Sequence, residues 1–166
     1  MVRMSEIDIL MQNPNKLANL LSPIIDSTNR DKILNIGKKH SKLLLKLSRQ
    51  HLLFAKKLNS NSDWRQKVSR AYYCCYNASK AVRLLCSGEY SQEGADHKKI
   101  GDLPKDFNKQ SSWTNFLIQF RSDRNLADYD HDKKCSDLKM PPKQYIEQTE
   151  LFFNDAKKYL KDRGIQ

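Results

Sequence analysis

Apolar residues recur along most of this chain at intervals of three, four and seven, the period of helices that bury one face. The first long run predicts a helix from about residue 30 to 58, with Ile33, Ile36, Leu43, Leu47, Phe54 and Leu58 as its core face. Lys38, Lys39, Lys42, Lys46, Arg49 and Lys56 fall mostly on the other side. Leu45 and Leu52 also lie there, seven apart, and form a second seam for a partner helix. His40 and His51 flank the core stripe and read as packed or half-exposed structural histidines rather than ligands. The polar run Asn59 to Asp63 then supplies helix-start chemistry, with Ser62 the expected N-cap.

The second predicted helix, 63–87, has the cleanest stripe: Trp64, Val68, Ala71, Cys75, Ala78, Val82 and Leu85. Its small members, Ala71, Cys75 and Ala78, leave room for a neighbouring helix to approach closely. Gly88 ends it. Residues 88–112 hold Gly94, Gly101 and Pro104 without sustained periodicity, which makes a connection long enough to suspect of a functional role. A third helix starts near 112, with Trp113, Phe116, Leu117 and Phe120 on one face, and continues toward Tyr129. After Pro141 and Pro142, a last helix runs to about 162 on Tyr145, Ile146, Phe152, Phe153, Ala156 and Leu160. Upstream, Ile7, Leu10, Met11, Leu17, Leu20 and Leu21, interrupted by Pro14 and Pro23, predict one or two short helices packed on the main body. The expected organisation is an N-terminal helical extension over 1–29 and an all-α antiparallel four-helix up-and-down bundle over 30–162.

Composition narrows this picture without changing it. A chain of 166 residues with 39% hydrophobic and 30% charged residues suits one soluble domain with a highly charged surface. Five Gly and five Pro are too few for a many-turned β-sandwich. Neither an apolar run of membrane-spanning length nor a signal-peptide pattern is read, so the expected location is the cytoplasm, away from membranes. Cys74, Cys75, Cys86 and Cys135 form no C-x-x-C pair. They are expected to be reduced, with Cys74 and Cys75 small core residues; neither a metal site nor a cofactor is expected.

Charge adds a partner class. The net charge is +11, and from Arg30 to Lys57 nine Lys or Arg face a single acid, Asp31. That asymmetry fits an anionic partner, nucleic acid first, with Lys42, Lys46 and Arg49 as candidate substrate contacts. A solvated Lys-rich helix face accounts for the same pattern.

The segment Phe120-Arg121-Ser122-Asp123-Arg124-Asn125-Leu126-Ala127-Asp128-Tyr129-Asp130-His131 carries the candidate chemistry. The apolar stripe 113, 117, 120 next reaches 124, where an arginine stands. His131 follows seven residues on, nearly two turns, so both share a face if the helix persists. A core stripe that turns into Arg, Asp and His breaks a local rule, and such breaks are enriched at functional sites. The structural alternative is an Arg124–Asp128 ion pair at i,i+4, joined by Arg121 or Asp123, with His131 an exposed loop residue. His97, in Asp96-His97-Lys98-Lys99, is a second candidate that either approaches the site or stands as a surface histidine. Tyr72, Tyr73 and Tyr76 either line the cleft or pack in the core.

Ser69-Arg70-Ala71-Tyr72-Tyr73-Cys74-Cys75-Tyr76-Asn77-Ala78-Ser79-Lys80-Ala81 resembles the R-A-Y-Y-x-x-[FY]-x-A-x-x-A run of prokaryotic HEPN proteins. Arg124-Asn125-Leu126-Ala127-Asp128-Tyr129-Asp130 resembles their R-x-x-A-D-Y-D ending. The resemblance spans roughly residues 30 to 162 and implies a four-helix bundle that forms a homodimer. Ribonuclease members of the family carry an R-x(4–6)-H motif with a polar residue after the arginine. Arg124, Asn125 and His131 match it at the longest spacing, although many relatives with the A-D-Y-D ending lack the histidine. The resemblance thus implies a metal-independent endoribonuclease of a toxin–antitoxin or phage-defence system. Arg124 and His131 are its catalytic residues, and Asn125, Asp128, Arg121 and Tyr129 support them. Its partners would be RNA and a nucleotidyltransferase-like antitoxin or other defence protein. The competing expectations are an inactive HEPN dimer that binds nucleic acid or a partner protein, and a nucleotide-binding accessory subunit.

Overall fold

A computed structural model describes residues 18–19, 21–86 and 94–165, and within them every long element is a helix. The helices are α1 (Ser27–Lys57), α2 (Trp64–Cys86), α3 (Gln110–Tyr129) and α4 (Pro142–Lys161). Short 3-10 helices lie at Gly94–Lys99 and Cys135–Asp137. The helices expected over Ile7 to Leu17, and the helix end expected at Gly88, lie outside the described residues. Asp26 caps α1 by accepting the Asn29 amide at 2.8 Å, so α1 starts at Ser27 and the expected 29/30 division falls within its first turn. At the start of α2, Asp63 rather than Ser62 precedes the first helical residue. Its carbonyl accepts the Lys67 amide at 2.9 Å, and its carboxylate holds the Asn59 amide at 3.0 Å.

α2 is the centre of the molecule: α1, α3 and α4 all pack against it, and α1 also touches α4. The expected apolar faces of α2, α3 and α4 are the buried ones, with Val68, Ala71, Cys75, Val82, Leu117, Phe120, Tyr145, Phe152 and Leu160 fully enclosed. Cys74 and Cys75 are free thiols in this core; burial pushes Cys74 up to about 12 and Cys75 well above its ordinary value.

On α1 the expected face is corrected. Ile36, Leu43, Leu47 and Phe54 are 41–52% exposed, and the buried face is Gly37, Ser41, Ser48, Leu52 and Ala55, with Leu44 and Leu45 packed beside it. The physical reason is close approach. The Ser41 and Ser48 hydroxyls donate to the backbone carbonyls of Ala81 (3.0 Å) and Cys74 (2.7 Å) on α2. A row of small residues lets two helices meet backbone to side chain. The Leu45–Leu52 seam joins this contact.

The segment expected to be a long, functionally suspect connection also contributes core. Ile100, Leu103 and Phe107 are buried, and Ser79 donates to the Ile100 carbonyl at 2.7 Å. A Cβ on Gly101 would meet Ile118 at 3.2 Å and Thr114 at 3.3 Å, so glycine lets this segment lie directly on α3. Among the described residues no helix is long and apolar enough to cross a membrane.

Candidate functional site

Arg124 continues the buried stripe of α3 and is 8% exposed. Its Nη2 donates to the Tyr73 hydroxyl at 2.6 Å and its Nη1 to the Asn125 Oδ1 at 3.1 Å. Nε lies 2.6 Å from the Asp128 Oδ2, out of line for a hydrogen bond, so that contact is an ion pair. The rings of Tyr129, Tyr73 and Tyr72 stand 5.1, 5.2 and 5.5 Å from the guanidinium carbon. Burial works against the charge, but Asp128 outweighs it and holds the guanidinium above its ordinary pKa. An arginine can sit in this low-polarity position because a carboxylate and aromatic faces take over from water.

The histidine that joins this cluster is His97, carried by the 3-10 helix Gly94–Lys99. Its ring stacks on Tyr76 with centroids 4.2 Å apart, and its Nδ1 shares a 2.9 Å hydrogen bond with the Tyr72 hydroxyl. The neighbouring Asp96 anchors the segment. Arg83 donates to its two oxygens at 3.1 Å each, the Tyr76 hydroxyl donates at 2.8 Å, and the Lys80 Nζ lies 3.5 Å away. Burial opposes the Asp96 charge, but Arg83, then Tyr76 and Lys80, bring its pKa below the ordinary value. Tyr76, Lys80 and Arg83 recur at i, i+4 and i+7 along α2. This polar stripe on an otherwise apolar helix is the sequence signal that could have placed the 88–112 segment.

His131 is placed elsewhere. α3 stops at Tyr129, and Asp130 turns extended (φ −102, ψ 95), so the helical phase that would bring position 131 beneath Arg124 is lost. Arg65 of α2 fixes this end, donating to the carbonyls of Ala127 (2.9 Å), His131 (3.2 Å) and Lys133 (2.6 Å). The His131 residue is exposed, bonded through its backbone. Asn125, Asp128, Tyr129 and Tyr73 thus meet Arg124. Arg121 acts at longer range, its charge helping to lower the His97 pKa. Lys42, Lys46 and Arg49 line a separate groove between α1 and α4 that shares no residue with this cluster. Sequence reasoning missed Asp96, Arg83 and Lys80. Among the described residues no group of three or more His, Cys, Asp or Glu could hold a metal ion.

Burial, with Arg124 and Arg121, lowers the His97 pKa below 6.5; burial and Arg70 do the same to His51, which stacks on Tyr73. Each unfolded histidine therefore binds its proton at a higher pH than the folded one. The stability they contribute is complete above about 6.5 and is lost as pH falls through 6.5 toward the folded values. The melting temperature is expected to fall between about pH 7.5 and pH 5, with a shallower fall in the His51→Gln/His97→Gln variant. Parallel curves for the two proteins would remove these histidines from the pH response.

No family model matches the chain, and neither a curated protein nor a solved structure is significantly similar to it.

Proposed function

We propose that this chain is a metal-independent endoribonuclease of a toxin–antitoxin or phage-defence system. In this reading its helices form an antiparallel up-and-down bundle that works as a homodimer in the cytoplasm, with a nucleotidyltransferase-like antitoxin or other defence protein as partner. The observation that carries the reading is the convergence of Arg124 and His97 on one tyrosine-lined cluster, with Tyr72 bonded to the histidine and its ring beside the guanidinium. A histidine kept neutral at pH 7 can take the proton of a ribose 2′-hydroxyl. The 2′-oxygen then attacks phosphorus, the bond to the 5′-oxygen breaks, and that oxygen takes a proton from a second acid. In the homodimer of this reading, His131 on the exposed turn after α3 of the second protomer takes that role. Arginine supplies fixed charge and fork geometry to the phosphorane oxygens. The products are a 2′,3′-cyclic phosphate and a 5′-hydroxyl end. The dimer is supported by the exposed row Ile36, Leu43, Leu47 and Phe54 on α1, whose spacing of seven, four and seven is that of a helix-pairing seam.

One observation favours a second reading, a non-catalytic module that binds nucleic acid, a nucleotide or a partner protein. Every guanidinium nitrogen of Arg124 already meets a group of its own chain, which leaves a substrate phosphate to displace one of them.

The test incubates purified wild type, Arg124→Ala, His97→Ala and His131→Ala with total RNA in EDTA, after circular dichroism and light scattering have established fold and assembly. The wild type is expected to cut and leave cyclic phosphate ends. Arg124→Ala and His97→Ala should lose at least about a hundredfold in rate. An inert wild type hands the protein to the binding reading. Loss in His131→Ala with full activity in His97→Ala moves the proton transfer to His131, and a monomer by light scattering removes the dimer.

A further inference from the structure

We infer that the groove between α1 and α4 is the docking site for an acidic amphipathic helix of a partner protein. The groove shares no residue with the Arg124–His97 cluster, and Leu43 is the one residue it has in common with the exposed α1 row offered for the dimer. The groove encloses about 870 Å³. Its α1 wall runs from Lys39 to Lys56, about 25 Å at 1.5 Å per residue, long enough to lie along four turns of a helix.

Two features of the lining select the occupant. The rim is cationic: Lys39, Lys42, Lys46 and Arg49 from α1 and Lys157 from α4. Among the described lining residues the one acid is Glu150, and it is bound to Lys56 at 2.6 Å. The floor is apolar, with Leu53 49% exposed above the buried Leu52 and Phe153. A ligand that satisfies both carries carboxylates at its edges and an aliphatic stripe between them, which is an acidic amphipathic helix laid in a groove.

The competing occupants meet only half of this surface. A second copy related by a two-fold axis would set the same lysines against one another, since such an interface is self-complementary. RNA would neutralise the rim, but the floor offers it aliphatic side chains where single strands gain from exposed aromatic platforms.

The probe is a fluorescein-labelled synthetic peptide of about 20 residues, with leucine at i, i+3, i+4 and i+7 and glutamate on the remaining face. Fluorescence anisotropy with the full chain should show saturable binding that weakens steeply with salt. A scrambled peptide of the same composition should bind at least about tenfold more weakly. The same loss is expected in Lys42→Glu/Lys46→Glu/Arg49→Glu, and separately in Leu53→Asp. All of these positions are exposed or line the groove, and circular dichroism checks the fold. A peptide with lysine in place of glutamate should regain binding to the charge-reversed protein. No binding by the designed peptide overturns the inference, as does equal binding of the scrambled one, which would mark a non-specific polyanion surface. A 20-nucleotide single-stranded RNA that binds more tightly than the peptide, and loses binding in the same variants, overturns it in favour of an RNA surface.

Discussion

Asp96→Ala is expected to lose about 3–5 kcal/mol of folding stability, the cost of breaking a buried ion pair by removing one member. Asp96 is 2% exposed and Arg83, its bidentate partner, is equally enclosed; Lys80 is 6% exposed. Removing the carboxylate leaves two cations facing one another in the interior and takes the acceptor from the Tyr76 hydroxyl. Domains of this size are held by about 5–15 kcal/mol in all, so the loss is a large share of the total. Urea unfolding measures it. The double variant Asp96→Leu/Arg83→Met should recover part of the loss, since it removes the bidentate pair together and leaves only the Lys80 charge from this network. A second readout ties stability to the site. If the 94–99 segment leaves α2 in the single variant, His97 loses its burial and titrates near 6.5, its ordinary value, by NMR. A loss below about 1 kcal/mol, in the range of a surface pair, would show that this network does not hold the segment down.

The second large effect belongs to Asp123, one residue before Arg124. Asp123 is 3% exposed on α3 and gathers three donors: the Lys139 amide (2.7 Å), the Gln119 Nε2 (3.1 Å) and the Tyr145 hydroxyl in a short bond. It therefore ties the turn after Leu138 and the start of α4 to the last two turns of α3, where Arg124 sits. Asp123→Ala leaves a part-buried backbone amide and a buried hydroxyl without this acceptor, at about 1–3 kcal/mol for each unmet group, or roughly 2–6 kcal/mol together. Asp123→Asn keeps one carbonyl oxygen and should lose less. Tyr145→Phe removes the hydroxyl but keeps the ring stacked on Phe120, with centroids 4.2 Å apart. The two changes should be non-additive in a double-mutant cycle, because they break one shared bond. Additive losses would show that the short Tyr145–Asp123 contact carries no energy of its own.

The second prediction concerns a stretch that sequence patterning treats as an exception. Asp123 and Arg124 stand in the core stripe of α3, and their burial is what the break in that stripe foreshadowed. The Arg124–Asp128 pair is the i,i+4 contact expected of a structural arginine. The same arginine also bonds Tyr73 of the R-A-Y-Y run, fifty-one residues away in sequence. In the proposed reading this side chain has both a structural role and a place in a reacting cluster, and the variants of Arg124 and His97 separate them.

The sequence by itself determined the helices and most of what they bury. Hydrophobic period, Asn/Asp-rich breaks and the Pro141–Pro142 start of α4 are local signals, and helix formation answers to local signals. The expected start of α1 near 30 lies within three residues of Ser27, and α2, α3 and α4 follow the same rule. Tertiary structure alone decided three things. It chose which face of α1 is buried, because Ser41 and Ser48 hydrogen-bond the carbonyls of Ala81 and Cys74 on α2, contacts that hydrophobic period does not report. It brought His97 to Arg124, because Asp96 finds Arg83 and Lys80 only once the chain has folded back on α2. And it set His131 on an exposed turn past the helix, because Arg65 holds the chain where α3 ends and the seven-residue spacing places two side chains on one face only while the helix lasts. Periodicity reports which faces are apolar, but shape and charge pairing between distant segments choose which faces meet.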